Sequence, residues 1–330
     1  MKKLKLATGT EFYLAVLLLV ALILLRVLAP GFYTMNNIMS LLNTFSYTLI
    51  AAIGMNLIII TSNIDVSTGA LVSVICLALA AAGKGGLPFA GLLPLAMLIG
   101  MLLSGINGLF ITGMKIPAIV ATLATAQIFQ GILPLMVEGS IYDLPASFTW
   151  LAFDAKIFGV IPASVLLCLI VTVAALIFMK YSRFAKKIYA IGNNKQGARL
   201  AGIAVDKIVV ITYIVAGTLF GVASTIIATA GQRVTTTMGT GLEMTLIAAV
   251  VLGGTSTAGG SGSIVGTVIG AFILSMISPA INYLGISPNW SDAVKGAIII
   301  ISVVVSGARH IKRKRVIEPL TEKQLRKEAA

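Results

Sequence analysis

Residues 40–83 read SLLNTFSYTLIAAIGMNLIII, then TSNIDVSTG, then ALVSVICLALAAAG. Two apolar runs, Ser40–Ile60 and Val66–Gly83, stand either side of a polar break with almost no loop between them. Each approaches the ~20 residues that a helix needs to cross the hydrocarbon layer of a bilayer. A reading as paired membrane helices fits both runs.

Working outward, similar runs occur at Phe12–Ala29, Pro88–Gly113, Ile116–Val137, Ile157–Met179, Ile208–Ala230, Leu242–Leu252, Ile264–Leu284 and Ser291–Ala308. With the first pair they make ten in 330 residues. The chain is 58% hydrophobic and 11% charged, with a mean hydropathy of +1.02. Soluble domains carry roughly 25% charged residues, so this chain has too few charges to cover a soluble globule. A soluble enzyme is excluded. The expectation is an all-α, polytopic membrane bundle of about ten helices, a single domain over residues 1–330. Lys2, Lys3 and Lys5 ahead of Phe12–Ala29 resemble the start of a signal peptide. The run is longer than a usual signal core, and Pro30 follows where cleavage would fall, so it reads as a retained first helix.

Ten spans put both termini on one side of the membrane, and both are basic. The positive-inside rule makes that side the cytoplasm. On this scheme 19 of the 24 Lys and Arg residues lie inside, which accounts for most of the net charge of +13. They cluster at the start, at Lys115, in the long loop 180–207 and in the tail 309–330. Arg26, Lys84, Lys156, Arg233 and Lys295 fall outside.

Small residues four apart favour close helix packing in lipid; Gly262, Gly266 and Gly270, Ser104 with Gly108, and Gly217 with Gly221 have that spacing. Three polar stretches need more explanation. In Thr61–Gly69, Asp65 or Ser67 reads as the N-cap of the third helix; equally, the stretch reads as a broken helix pair beside a translocation path, where irregular backbone lines a cavity. Gly253–Gly262 is glycine-rich but lacks the Lys of a phosphate-binding loop, so it reads as a flexible cytoplasmic turn. The loop Lys180–Lys207 is long for so economical a chain, and loops of more than about 12–15 residues are often functional. A short surface helix there would dock a cytoplasmic partner.

Other chemistry is thin. Cys76 and Cys168 lie inside apolar runs and read as packing residues, and one His and two Cys leave little for a metal site. His310 belongs to a basic cluster, residues 309–315, suited to anionic lipid at the bilayer surface. A nucleic-acid role and a catalytic triad find no support.

Four blocks resemble one family: Ser62–Gly69, similar to a G-I-D-L-S-x-G pattern; Lys115–Leu123; Gly239–Met244 with Ala248–Gly254; and Gln196-Gly197-Ala198 followed by Gly202, which looks like a degenerate E-A-A-x-x-x-G coupling motif. Together they resemble the sugar-type permeases of bacterial ATP-binding-cassette importers, the family of the ribose and autoinducer-2 uptake permeases. The likeness runs over nearly the whole chain, and its blocks lean towards autoinducer-2. Gln196 and Gly197 depart from the acidic residue and alanine of the general coupling motif.

The resemblance implies a subunit of the bacterial inner membrane, working with a second permease subunit, identical or paralogous. Cytoplasmic ATPase subunits would dock on Asn193, Gln196, Gly197, Ala198, Arg199 and Gly202. ATP and Mg would belong to those ATPases, leaving this chain no cofactor and no enzymatic step of its own. An extracytoplasmic solute-binding protein would dock near Glu138, Asp143, Asp154, Arg233 and Glu243. Asn56, Asn63, Asp65 and Asn107 are the expected path residues, suited to a small polyol-like solute. An ion-coupled secondary transporter is the rival class; it would need coupling charges well inside the membrane. A membrane scaffold would not need the polar breaks.

Overall fold

A computed structural model describes residues 10–145, 148, 149, 151, 156, 157, 161–298 and 300. Its helices are α1 (Thr10–Leu28), α2 (Met35–Ile60), α3 (Thr68–Lys84), α4 (Phe89–Gly113), α5 (Ala118–Met136), α6 (Ala163–Tyr181), α7 (Arg183–Asn193), α8 (Lys195–Leu200), α9 (Val205–Thr229), α10 (Leu242–Leu252) and α11 (Ile264–Tyr283). A further helical run occupies 290–298. The all-α, multi-pass expectation holds. Six of these helices are long and apolar enough to cross a membrane, and α1, α3 and α10 are shorter apolar helices. The basic tail 309–330, with His310, lies outside the described residues, as does the second half of the tenth span.

The helix α2 forms the centre. From Thr48 to Ile60 every residue is buried, and its neighbours are α9, α11, α6 and α10. It is the least apolar of the long helices, and its small and polar residues Ser46, Thr48, Gly54 and Asn56 are all buried against neighbours, whereas the more apolar α6 stays largely exposed. Thr34 precedes α2 in extended backbone, after a 3-10 turn over Pro30–Tyr33. That turn packs Phe32 with Leu25, Ala29, Leu41 and Met276, which attaches α1 to the outer part of α11.

Close approach of small residues decides two further pairings. A side chain built at Gly217 of α9 would strike the Gly100 carbonyl oxygen and the Ser104 side chain of α4, and one at Gly221 would strike the Ala96 carbonyl. The α4 and α9 backbones therefore touch with nothing between them, as expected for association that rests on contact alone. Gly253 and Gly266 bring α10 and α11 together in the same way.

Among the described residues two short ladders break the helical pattern: β1 (Ser140–Ile141) with β4 (Val234–Thr235), and β2 (Lys156–Ile157) with β3 (Ile161–Pro162). The first ties the segment after α5 to the segment after α9. Lys84 lines a hollow with Ser140, Tyr142 and Asp143, so these groups mark one end of the bundle. Lys115, Lys195 and Arg199 line a hollow with Ser62 and Asn63 and mark the other. The two ends match the outside and inside assigned by charge.

Candidate functional site

The inner end is built from three stretches far apart in sequence. The loop 180–207 is not a coil but two helices. Ser182 caps α7, its Oγ accepting from Phe184 N at 3.0 Å, and Asn194 caps α8, its Oδ1 accepting from Gly197 N at 2.8 Å. The α7 helix buries Ala185, Ile188 and Ile191 while Arg183, Lys186 and Lys187 stay exposed, so one face packs onto the bundle and the other meets water.

That packed face is joined by hydrogen bonds to the end of α2 and to the glycine-rich turn 253–263. Asn193 Nδ2 donates to Gly260 O at 3.1 Å and Tyr189 Oη donates to Gly262 O at 2.9 Å. Burial pushes the Tyr189 phenol above its ordinary range. Gly260 N donates to Ile60 O at 2.9 Å. Ser62, held at φ +62°, donates its hydroxyl to Ala258 O at 2.8 Å with Gly192 O at 3.2 Å. Gly192 has no room for a side chain, since a Cβ there would strike Ile60 O and Gly260 N. The turn 253–263, expected to be flexible, is therefore held at several points.

The expected coupling residues divide by role. Asn193 joins α7 to the turn. Ala198 is buried and seats α8, and Gly202 takes the left-handed φ of +77° that ends it. Arg199 pairs with Asp206 at 3.0 Å, holding α8 against the start of α9; an exposed pair of this kind is worth about 0–1 kcal/mol. Gln196 lines a cavity of about 840 Å³ with Asn63, Lys115 and Lys195. Leu200, not singled out from sequence, is 91% exposed at the tip of α8. A single exposed apolar side chain is common on a protein surface; what sets Leu200 apart is its place at the tip of α8.

The break between α2 and α3 is also bonded, although Asp65 Oδ2 and Asn107 Oδ1 are buried without a partner among the described residues. Asp65 is fully buried; its Oδ1 accepts from Ser67 N at 2.9 Å and from Ser67 Oγ at 2.6 Å. Asn107 Nδ2 of α4 donates to Ser67 Oγ at 2.8 Å. Ser67 sits at the N-cap position of α3, but its side chain makes no capping bond; Asp65 receives the amide instead. Thr122 Oγ1 accepts from Val66 N at 3.2 Å, which attaches the break to α5. Asn56 Oδ1 accepts from Thr255 Oγ1 at 2.9 Å, and Asn63 Nδ2 donates to Thr61 Oγ1 at 2.8 Å. Of the four expected path residues, the structure links Asp65 with Asn107, sets Asn56 against the glycine-rich turn, and leaves Asn63 at the inner cavity. All four are buried.

At the outer end Arg233 donates to Ser140 Oγ at 3.2 Å and lies 5.1 Å over the Tyr142 ring. Asp143, at φ +55°, is exposed in the same group, and Glu138 is exposed just before β1. Asp154 lies outside the described residues. Glu243 is set apart from this group. Its carboxylate abuts Gly69 in the first turn of α3, some 22 Å along that helix from Lys84 at ~1.5 Å per residue. The reason is the course of residues 236–241. They turn inward after β4, with Gly239 N donating to Ser73 Oγ at 2.9 Å and Gly241 at φ +76° opening α10. Read as a linear sequence, that stretch is an outer loop; folded, it re-enters the bundle.

A cavity of about 320 Å³ lies along this re-entrant segment, between α2, α10 and α11, lined in part by Thr44, Tyr47, Thr48, Thr245, Ser275 and Ser278. None of these was singled out from sequence. Among the described residues there is no cluster of His, Cys, Asp or Glu that would hold a metal ion.

Residues 37–303 match the model of a family described as branched-chain amino acid transport system / permease component. The ribose import permease protein RbsC of Escherichia coli (strain K12) is 35% identical over 299 residues, covering 88% of this chain and 92% of that protein. The autoinducer 2 import system permease protein LsrC of Yersinia pestis (strain Pestoides F) is 32% identical over 295 residues, covering 89% and 83% respectively. No solved structure matches the chain.

Proposed function

Because the chain belongs to the permease family of branched-chain amino acid transport systems, a family of multi-pass membrane proteins, we propose that it is the membrane-spanning subunit of an inner-membrane ATP-binding-cassette importer for a small sugar-like solute. ATP is hydrolysed by separate cytoplasmic subunits. A solute-binding protein delivers the cargo to the outer end, and a second permease subunit completes the membrane part.

The observation that carries this reading is the bonded inner assembly. The α7–α8 pair is joined through Asn193, Tyr189 and Gly192 to the end of α2 and to the turn that leads into α11. A push on α8 is thereby delivered to two membrane helices at once. Leu200 at its tip offers an apolar anchor to an ATPase groove. A channel or ion-coupled carrier has no use for a docking helix wired in this way. Energy coupling of this kind needs two packings of similar free energy and a ligand that binds them differently; ATP in the partner is that ligand.

For the cargo, the motif blocks favour autoinducer-2, and the likeness to RbsC supports ribose as the second candidate. Replacing residues 196–202 by an unrelated flexible linker tests the coupling role. The permease should still insert but lose co-purification with its ATPase; a complex that survives intact overturns the assignment. Uptake of labelled ribose and labelled autoinducer-2 into vesicles holding the whole complex and ATP decides between the cargoes. Uptake by this chain alone on an ion gradient would favour a secondary transporter.

A further inference from the structure

The cavity between α2, α10 and α11 carries more than its shape. A serine or threonine hydroxyl inside a membrane helix can donate to the carbonyl one turn back, but its acceptor lone pairs are met only by another polar group or by water, so hydroxyls from several helices gathered on one cavity mark a space that polar molecules can enter. Here three helices contribute them together: Thr44, Tyr47 and Thr48 from α2, Thr245 from α10, and Ser275 and Ser278 from α11. Ser275 donates to Ala271 O at 2.7 Å and Thr245 to Gly241 O at 3.1 Å. Both donors are thus used within their own helices, while the oxygen lone pairs remain free to accept.

The cavity has a direction. Asn282, one residue before the outer end of α11, and Lys295, beyond that end, also line it, and Lys295 is paired with Asp292 at 3.3 Å. Thr48 lies 13 positions into α2 from its outer end, about 20 Å down at ~1.5 Å per residue, well into a ~30 Å hydrocarbon layer. Leu242, the first residue of α10, stands in the wall at that depth. The cavity therefore runs from the outer face to about mid-membrane. No carboxylate lines it among the described residues, and its one cation is already paired. At about 320 Å³ it is at the small end of the ~300–1,000 Å³ typical of ligand pockets.

Resting on the importer reading above, we infer that this cavity is the outer half of the translocation path, and that its hydroxyl lining with the Tyr47 ring selects a small, uncharged, polyhydroxylated solute. The hydroxyls take up the solute's donors, and the ring covers its C–H face. The buried Asn56, Asp65 and Asn107 then hold the helices around the path rather than line it.

The native cysteines make a clean background, since Cys76 and Cys168 are both buried. In the intact complex, Ser278→Cys and Thr44→Cys, both at half-buried positions of the lining, are each treated from outside with a membrane-impermeant charged thiosulfonate, with and without saturating cargo. Labelling of Ser278→Cys that cargo slows several-fold is expected, with slower labelling at Thr44→Cys. Ser275→Ala and Ser278→Ala should each raise the KM for uptake about fivefold, the worth of one hydrogen bond, with ATPase co-purification unchanged. Labelling only by a lipid-soluble maleimide would make the cavity a lipid-facing groove and overturn the inference. Labelling that cargo does not slow, together with an unchanged KM, would do so as well. ATP-driven uptake by the unmodified complex is scored first. Its failure counts against the importer reading, whereas an effect confined to the variants counts on the cavity.

Discussion

Ser62 donates its hydroxyl to the carbonyl oxygen of Ala258 at 2.8 Å, across 196 positions of sequence. This bond joins the end of α2 to the turn before α11, and Gly192 O of α7 lies 3.2 Å from the same hydroxyl. One small side chain thus meets three elements at the inner end.

Removing it should loosen that end. Ser62→Ala is expected to cost about 1 kcal/mol, the usual net worth of a hydrogen bond, and to lower ATP-driven uptake more than ATPase binding. Ser62→Gly suits the left-handed backbone better, so comparing the two separates backbone conformation from the lost hydroxyl. Thermal unfolding in detergent and vesicle uptake are the measurements.

Gly192 is expected to be less forgiving. A Cβ there strikes the Ile60 carbonyl and the Gly260 amide, both backbone groups that have no rotamer to move. Gly192→Ala should cost about 1–3 kcal/mol and separate α7 from α2. The variant should insert in the membrane at wild-type levels and show reduced co-purification of the ATPase. Wild-type assembly would contradict this packing.

Asp65 supports the break by accepting from the Ser67 amide and hydroxyl. Asp65→Ala leaves those donors without an acceptor in a buried site, at about 1–3 kcal/mol. Asp65→Asn keeps an acceptor oxygen and removes a buried charge, so its unfolding temperature should lie much closer to wild type. Equal losses for both would mean that the charge itself holds the break.

At the outer end, Arg233→Ala should leave stability and ATPase association unchanged but weaken stimulation of ATP hydrolysis by the binding protein. The effect should shrink as salt is raised, because exposed charges beyond about 8–10 Å are screened at physiological ionic strength. A titration of binding protein at two salt concentrations reads it.

Most helices, and the grouping of charged residues at two opposite ends, were legible because they follow from quantities a linear sequence carries: apolar runs of bilayer length and the distribution of Lys and Arg. The course of residues 236–241 was not. A polar stretch rich in glycine has the same composition whether it lies in outer water or lines a wet cavity, and the difference is made by contacts such as Gly239 with Ser73. The path residues were obscured for a related reason. Asn56 and Asn107 stand out in apolar runs because a buried amide has more donors and acceptors than its own helix can satisfy, and here Asn56 accepts from Thr255 and Asn107 donates to Ser67. Ser275 and Thr245 donate to the carbonyl one turn back, so they pass unnoticed in an apolar run although their lone pairs face the cavity they line. Leu200 was hidden by the opposite effect, as an ordinary residue made unusual only by its exposure.

The glycine contact between α4 and α9 also limits how the molecule can move. Where two helices meet backbone to backbone at Gly100, Gly217 and Gly221, with only the small Ser104 side chain beside Gly217, few side-chain rotamers are there to change and let one helix slide past the other. The pair behaves as a single plank. Any swing between outward and inward openings must then be taken up at joints lined with movable side chains, and the seam of α2 against α10 and α11, beside the polar cavity, is where such a gate has room to swing.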